Sequence, residues 1–155
     1  MPTDTEPGPP RPPRPREVHR AVGAVTVQQL VLDASSVVGL LLDPDAEEHA
    51  IAPRGNLHAP SVLPYEVSNV LRRLQGAGKL AERDAERAFA DYAALDIELW
   101  PWPTLGERVW RLRGNLSSYD AAYVALAERI DATLVTRDAR LARAPGTTCA
   151  ITVVA

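Results

Sequence analysis

The sequence is poor in cysteine, histidine and lysine, and each shortage excludes a class of site. Cys149 is the only cysteine among 155 residues, so neither an internal disulfide nor a cysteine-built metal site is available. The three histidines show no metal-ligand spacing, which argues against a histidine-built zinc site. Lys79 is the only lysine beside sixteen arginines, and enzymes that need a catalytic lysine in a fixed motif do not fit.

Long apolar runs and a strong charge imbalance are also missing. No run approaches the roughly 18 residues that a membrane helix needs, and the first twenty residues are polar and proline-rich, unlike a secretory signal. We therefore expect a cytoplasmic protein without a membrane partner. The net charge of −3 argues against a polycationic nucleic-acid coat. It leaves a nucleic-acid enzyme open, because divalent cations can offset a local acidic cluster.

The chain divides into a tail and one folded domain. Seven of the first fifteen residues are proline, mixed with arginine, and we predict a disordered tail over residues 1–24. Such a tail could steer RNA, although a solvated extension without a role is the favoured interpretation. Residues 25–155 are of the length expected for one domain.

Short apolar runs alternate with helical repeats along the folded part, which favours a parallel sheet with helices on both faces. Residues 43–58 are predicted to be a loop with weak helical character. The predicted strands are 28–32, 97–99, 132–136 and 149–154, and the predicted helices are 35–42, 61–75, 81–95, 104–113, 117–129 and a short one at 138–143.

Four acidic residues stand near the points where these elements meet. Asp33 follows the first strand, Asp138 follows the strand ATLVT, Asp120 opens a helix, and Glu66 lies one turn into another. In an open α/β fold these positions share the carboxyl edge of the sheet. Converging carboxylates repel one another unless a cation lies between them, and Mg²⁺ and Mn²⁺ prefer oxygen ligands. Such ions serve phosphodiester hydrolysis by activating water and stabilising the leaving oxygen.

Three of these four acids also have a simpler interpretation. Singly, Asp33, Asp120 and Asp138 are more often helix caps or first-turn acids. Glu66 differs, because it lies beside an apolar helix face where an unpartnered carboxylate is costly. Arg137 and Arg140, next to Asp138, are the best phosphate-binding candidates by position.

The three tryptophans could stack on RNA bases. Packing in the core or in an interface is the favoured interpretation for Trp100, Trp102 and Trp110. Cys149 is expected to be a buried strand residue.

Other phosphate enzymes fit poorly. A haloacid-dehalogenase phosphatase usually has a second aspartate two residues after the first, where this chain has Ser35, and both that class and response-regulator receivers need a lysine. No GxxxxGK[ST] motif is present, which excludes a P-loop enzyme. A flap-type DNA nuclease is normally larger. A non-catalytic binding module, or one silenced by a protein partner, stays open as the alternative.

Three segments of the sequence, in this order, closely resemble the PIN-domain ribonucleases, and most of all the VapC-type toxins of VapBC toxin–antitoxin modules. These segments are LVLDASSVVGLLL, APSVLPYEVSNVLRRL and SSYDAAYVALAERIDATLVTRDARLAR. The resemblance covers roughly residues 28–153. It implies a three-layer α/β/α sandwich with a parallel sheet of four or five strands. The family's catalytic, metal-binding acids match Asp33, Glu66, Asp120 and Asp138, and its supporting hydroxyl residues match Ser35 and Thr136.

The same resemblance implies an activity and its partners. We expect an Mg²⁺- or Mn²⁺-dependent endoribonuclease that cleaves tRNA or rRNA and leaves a 5′-phosphate. We also expect a cognate antitoxin that wraps an apolar groove, a homodimer, and a toxin–antitoxin hetero-oligomer.

Overall fold

The computed structural model describes residues 27–155, which form a five-stranded sheet with helices on both faces. All strand pairs are parallel, in the order β3-β2-β1-β4-β5. The strands are β1 (Gln28–Leu32), β2 (Gly55–Pro60), β3 (Ile97–Trp100), β4 (Thr133–Thr136) and β5 (Ile151–Val153). The helices are α1 (Ala34–Leu42), α2 (Glu48–Ile51), α3 (Leu63–Gly76), α4 (Glu82–Ala93), α5 (Gly106–Arg111) and α6 (Ser118–Arg129).

The sheet is buried from both sides, as its sequence predicts. Leu30, Val31 and Leu32 in the central strand β1 are at most 1% exposed, because a parallel strand covered on both faces reads as a continuous apolar run. On one side α1, α3 and α4 pack together, and α5 packs with α6. Helix α6 lies against β1, β2 and β4 through a run of small apolar residues. The predicted three-layer α/β/α sandwich is confirmed.

The loop predicted over residues 43–58 is wrong. It contains α2, a 3₁₀ turn at Ala52–Arg54, and the strand β2, which pairs with both β1 and β3. The sequence GNLHAP hides this strand because a glycine and a proline mark its ends and it lacks β-branched residues. The correction matters for the site, since α3 begins just beyond the carboxyl end of β2 and carries Glu66 to that edge.

Two smaller predictions also need correction. The helix predicted at 138–143 is only a 3₁₀ turn over Leu141–Arg143. The last strand begins at Ile151, which leaves Cys149 outside it and only partly buried.

Two of the tryptophans are largely exposed rather than packed in the core of this chain. The exposed fractions of Trp102 and Trp110 are 61% and 67%. Only Trp100 is partly buried, and its indole N–H donates to His58 Nδ1 at 3.3 Å.

The proline-rich tail predicted over residues 1–24 lies outside the described residues. Within residues 27–155, none of the helices combines the length and apolar character needed to cross a membrane.

Candidate metal-dependent nuclease site

Asp33 lies where β1 gives way to α1, and its carboxylate is held from three directions. Its Oδ1 accepts the backbone N–H of Ser36 at 2.9 Å, which caps α1, and the hydroxyl of Ser35 at 2.6 Å. Its Oδ2 accepts the hydroxyl of Thr136 at 2.5 Å. The side chain is buried, so these hydrogen bonds fix one rotamer at the carboxyl edge of the sheet.

The end of β4 is tied to Asp33 through the same hydroxyl group. Thr136 Oγ1 donates to Asp33 and accepts the backbone N–H of Asp138 at 2.9 Å. The Ser35 hydroxyl oxygen accepts the backbone N–H of Arg137 at 3.0 Å. Ser35 and Thr136 therefore join the turns after β1 and β4, and they bring Asp33 and Asp138 to one place.

Glu66 on α3 faces this edge and is compensated only by a neutral donor. The phenol of Tyr123 on α6 donates to Glu66 Oε2 at 2.5 Å. Burial raises the pKa of Glu66, the Tyr123 hydrogen bond lowers it, and the negative charges of Asp120 and Asp33 raise it further. The net shift is upward, and no basic side chain within residues 27–155 donates a hydrogen bond to Glu66.

Tyr123 is a site residue that the sequence interpretation missed. It lies on the buried face of α6, three residues after Asp120, and is 2% exposed. Burial, together with the charge of Glu66, raises the pKa of the Tyr123 phenol, so it stays protonated and can act only as a hydrogen-bond donor to the carboxylate. Its one signal in the sequence is a polar tip on an otherwise apolar helix face.

Asp120 lies in the first turn of α6, where Ser117 caps the helix. The backbone N–H of Asp120 donates to Ser117 Oγ at 3.1 Å, and Ser117 Oγ donates to Asp120 Oδ2 at 2.9 Å. Asp120 and Asp138 line one cleft with Arg140 and Arg143. All four predicted acids thus lie at the carboxyl edge of the sheet.

The two arginines singled out as phosphate contacts have other partners. Arg137 donates Nε and Nη2 to Glu48 at 2.8 and 2.9 Å, packed against Gly39. This guanidinium neutralises a fully buried carboxylate, so Arg137 has a structural partner, and its phosphate-binding role stays a prediction. Arg140 folds onto Asp138, with Nη2 donating to Oδ2 at 2.7 Å. This hydrogen bond, and to a smaller extent the charge of Arg140, lowers the pKa of that carboxyl group.

The donor set suits a hard divalent cation, although the cluster is loose. Among residues 27–155 no three histidine, cysteine or acidic side chains are arranged to hold one metal ion together. Asp138 is engaged by Arg140, and Asp120 by Ser117. Carboxylate oxygens are nevertheless the ligands that Mg²⁺ and Mn²⁺ prefer. The raised pKa of Glu66 also marks a place that an added cation would stabilise.

Comparison with known proteins identifies the family of this chain. A family model described as PIN domain matches residues 30–146. A VapC ribonuclease of Mycobacterium bovis is 39% identical over 125 residues, which cover 81% of this chain and 98% of the relative. The chain belongs to the PIN-domain family, among the VapC ribonucleases. Ribonuclease VapC1 of Mycobacterium tuberculosis is 40% identical over 134 residues, covering 83% of this chain and 99% of that protein.

Solved structures share the VapC fold. A Pyrobaculum aerophilum protein superposes with a TM-score of 0.61 at 29% identity, covering 81% of this chain and 83% of that one. VapBC2 from Rickettsia felis, solved with a DNA fragment from its promoter, gives a TM-score of 0.61 at 15% identity. It covers 83% of this chain and 100% of its own, and at that identity the likeness concerns the fold.

Proposed function

We propose that this chain is an Mg²⁺- or Mn²⁺-dependent endoribonuclease and the toxin of a type II toxin–antitoxin system in the cytoplasm. The observation that carries the proposal is the position of Asp33, Glu66, Asp120 and Asp138 at the carboxyl edge of the sheet. Burial, and then the charges of Asp120 and Asp33, raise the pKa of Glu66 there. Carboxylates gathered in this way repel one another and favour a divalent cation. Relatives named as VapC ribonucleases, matched over most of the chain, support RNA as the substrate.

In this mechanism Asp33, Glu66, Asp120 and Asp138 hold the cation. When bound, Mg²⁺ or Mn²⁺ supplies Lewis acidity to water and to the scissile phosphate. Ser35 and Thr136 keep the Asp33 carboxylate in one orientation by donating to both of its oxygens. Tyr123 holds Glu66 Oε2 and favours the ionised form of that carboxylate. RNA phosphodiester hydrolysis at this edge, in tRNA or rRNA, leaves a 5′-phosphate.

The proposal includes a cognate antitoxin and a homodimer. Two adjoining clefts form a groove between α1, the α2 region and α4, and both are lined by Leu40, Leu41, His49 and Asp91. Leu80 lines one of these clefts and Leu95 the other. Such a groove could take an apolar antitoxin segment. The structural neighbours include a VapBC complex, which supports a partner of that kind for this chain.

The test is cleavage of total bacterial RNA and of single tRNA and rRNA species by full-length protein freed of any antitoxin. Wild type and Asp33→Asn are compared in Mg²⁺, in Mn²⁺ and in EDTA, and 5′ ends are mapped. Asp45→Asn is the matched control, because Asp45 is exposed in the turn after α1 and none of the four acids is among its described hydrogen-bond partners.

We expect defined fragments that disappear with EDTA and with Asp33→Asn but persist with Asp45→Asn. Cleavage that survives EDTA would exclude a metal requirement. If folded, antitoxin-free wild type cleaves none of these RNAs, the chain is a binding module rather than a nuclease. Multi-angle light scattering of the same samples measures whether the protein is a dimer.

A further inference from the structure

A cleft beside Glu66 carries two exposed aromatic rings that the proposed mechanism does not use. Tyr65 on α3 and Tyr119 on α6 both line it, and their exposed fractions are 76% and 60%. The cleft has a volume of about 630 Å³ and is otherwise lined by Val62, Glu66 and Asn69. Rings this exposed contribute little to packing within the chain.

The two tyrosines have matching positions relative to the carboxylates. Each directly precedes a site acid on its helix, Tyr65 before Glu66 and Tyr119 before Asp120. Successive helical residues point about 100° apart around the axis. Each helix can therefore turn its acid toward the cluster and its ring toward the neighbouring cleft.

The chemistry of this cleft fits a nucleobase better than an apolar protein segment. An apolar segment would remove water from Glu66 and Asn69 without replacing their hydrogen bonds. Aromatic rings stack on bases of any sequence, and base edges offer hydrogen-bond acceptors. Arg72 donates to Asn69 Oδ1 at 2.8 Å, which leaves the Asn69 amide N–H groups to donate to such an edge.

We propose that Tyr65 and Tyr119 form a base-stacking subsite that holds an unpaired nucleotide next to the scissile phosphate. The subsite rests on the proposed ribonuclease function and deepens it by naming two residues that hold an unpaired base. A base inside a duplex is already stacked on its neighbours and cannot enter the cleft.

The experiment measures binding of a short oligoribonucleotide containing 2-aminopurine, whose fluorescence is quenched by stacking. Full-length protein with Asp33→Asn is used so that the RNA stays intact. In this background Tyr65→Ala, Tyr119→Ala and the double variant are compared with Tyr65→Phe and Tyr119→Phe. Trp110→Ala is the matched control, because Trp110 is an equally exposed ring that lines neither cleft of the site.

We expect the double alanine variant to raise the Kd for single-stranded RNA about tenfold or more and to abolish quenching, because each stacked base contributes a factor of this order. The phenylalanine variants and Trp110→Ala should stay within about twofold of the parent. An abasic oligonucleotide and a perfect duplex should bind the parent and the double variant equally, since neither can place a base in the cleft.

An unchanged Kd in the double variant would overturn the subsite, as would an equal loss on the abasic oligonucleotide. A change in sedimentation coefficient without a change in RNA binding would assign the rings to a subunit contact, which also overturns it. Wild-type cleavage of RNA is scored separately. A stacking difference in a protein that never cleaves would support the subsite and reject the nuclease.

Discussion

Glu48 and Glu66 are two glutamates withdrawn from water, and the structure treats their charges in opposite ways. Glu48 is fully buried, yet both of its oxygens accept hydrogen bonds from Arg137. Glu66 is less buried, and among the described residues its hydrogen-bond partner is the neutral phenol of Tyr123. Burial, and then the charges of Asp120 and Asp33, raise the pKa of Glu66. Within residues 27–155, the Arg137 guanidinium balances the structural Glu48. No basic side chain of this part is hydrogen-bonded to Glu66, at the edge where we propose that a metal binds.

The largest effect on stability is expected from breaking the ion pair between Glu48 and Arg137. Glu48→Ala leaves the Arg137 guanidinium partly buried without its bidentate partner, and this should lower the free energy of unfolding by about 3–5 kcal/mol. Urea unfolding measures the change. Glu86→Ala, at an exposed position on α4, is the control and should be nearly neutral. A loss for Glu48→Ala as small as that control would mean that the pair does not anchor α2.

Removing the charge of Glu66 should have the opposite effect and stabilise the metal-free protein at neutral pH. The pKa of Glu66 is raised above 4.5 in the folded state, so the folded chain binds this proton more tightly than the unfolded chain does. Metal-free stability should therefore fall as pH rises from 4.5 through the folded-state pKa. Glu66→Gln should remove this fall and be more stable than wild type at pH 7 without metal.

Adding metal should make the wild type more stable than Glu66→Gln. Mn²⁺ at a hundredfold excess over its Kd should stabilise the wild type by about 2.7 kcal/mol, and Glu66→Gln by much less. Thermal unfolding across pH, with Mn²⁺ and with EDTA, measures both effects. Identical pH profiles for the two proteins would show that Glu66 carries no uncompensated charge.

A smaller effect is expected when the one compensating contact of Glu66 is removed. Tyr123→Phe deletes the hydrogen bond that lowers the Glu66 pKa, so this pKa should rise further. The acid limb of the pH–rate profile should move to higher pH, and so should the acid limb of Mn²⁺ affinity. Tyr92→Phe is the control, because Tyr92 makes no hydrogen bond to Glu66 among the described contacts. An unmoved acid limb would argue that Tyr123 only fills space.

The smallest effect concerns Arg140, which the sequence placed at a phosphate and the structure places on Asp138. If the ion pair competes with metal, Arg140→Gln should slightly raise Mn²⁺ affinity in titration calorimetry and leave stability unchanged, because exposed pairs contribute little. Arg143→Gln is the matched control in the same cleft. A raised KM for RNA with unchanged Mn²⁺ affinity would instead favour the phosphate role.

The sequence predicted most of the layers because buried parallel strands and amphipathic helices have strong local patterns. It missed β2, since GNLHAP becomes a strand through its pairing with β1 and β3 rather than through local preference. The placement of α3, and therefore of Glu66, depends on that strand.

Site contacts between distant residues were equally hidden. Nothing local links Arg137 to Glu48, which lies 89 residues earlier, or Tyr123 to Glu66, 57 residues earlier. The topology did predict that the four acids lie at one edge, because the carboxyl ends of parallel strands meet at the same edge of a sheet. These acids are Asp33, Glu66, Asp120 and Asp138. Their metal-binding and catalytic roles stay predictions until the cleavage assay is done.

The Thr136 hydroxyl also sets how much sequence variation this fold can accept at that position. Its single hydrogen is directed to Asp33 and its lone pair to the N–H of Asp138. Valine has the same shape but would leave a buried carboxylate oxygen and a backbone donor unmatched. Among the common side chains only threonine and serine are short enough and can both give and receive a hydrogen bond here. In a saturation library of this position, nearly every variant other than serine should therefore be destabilised.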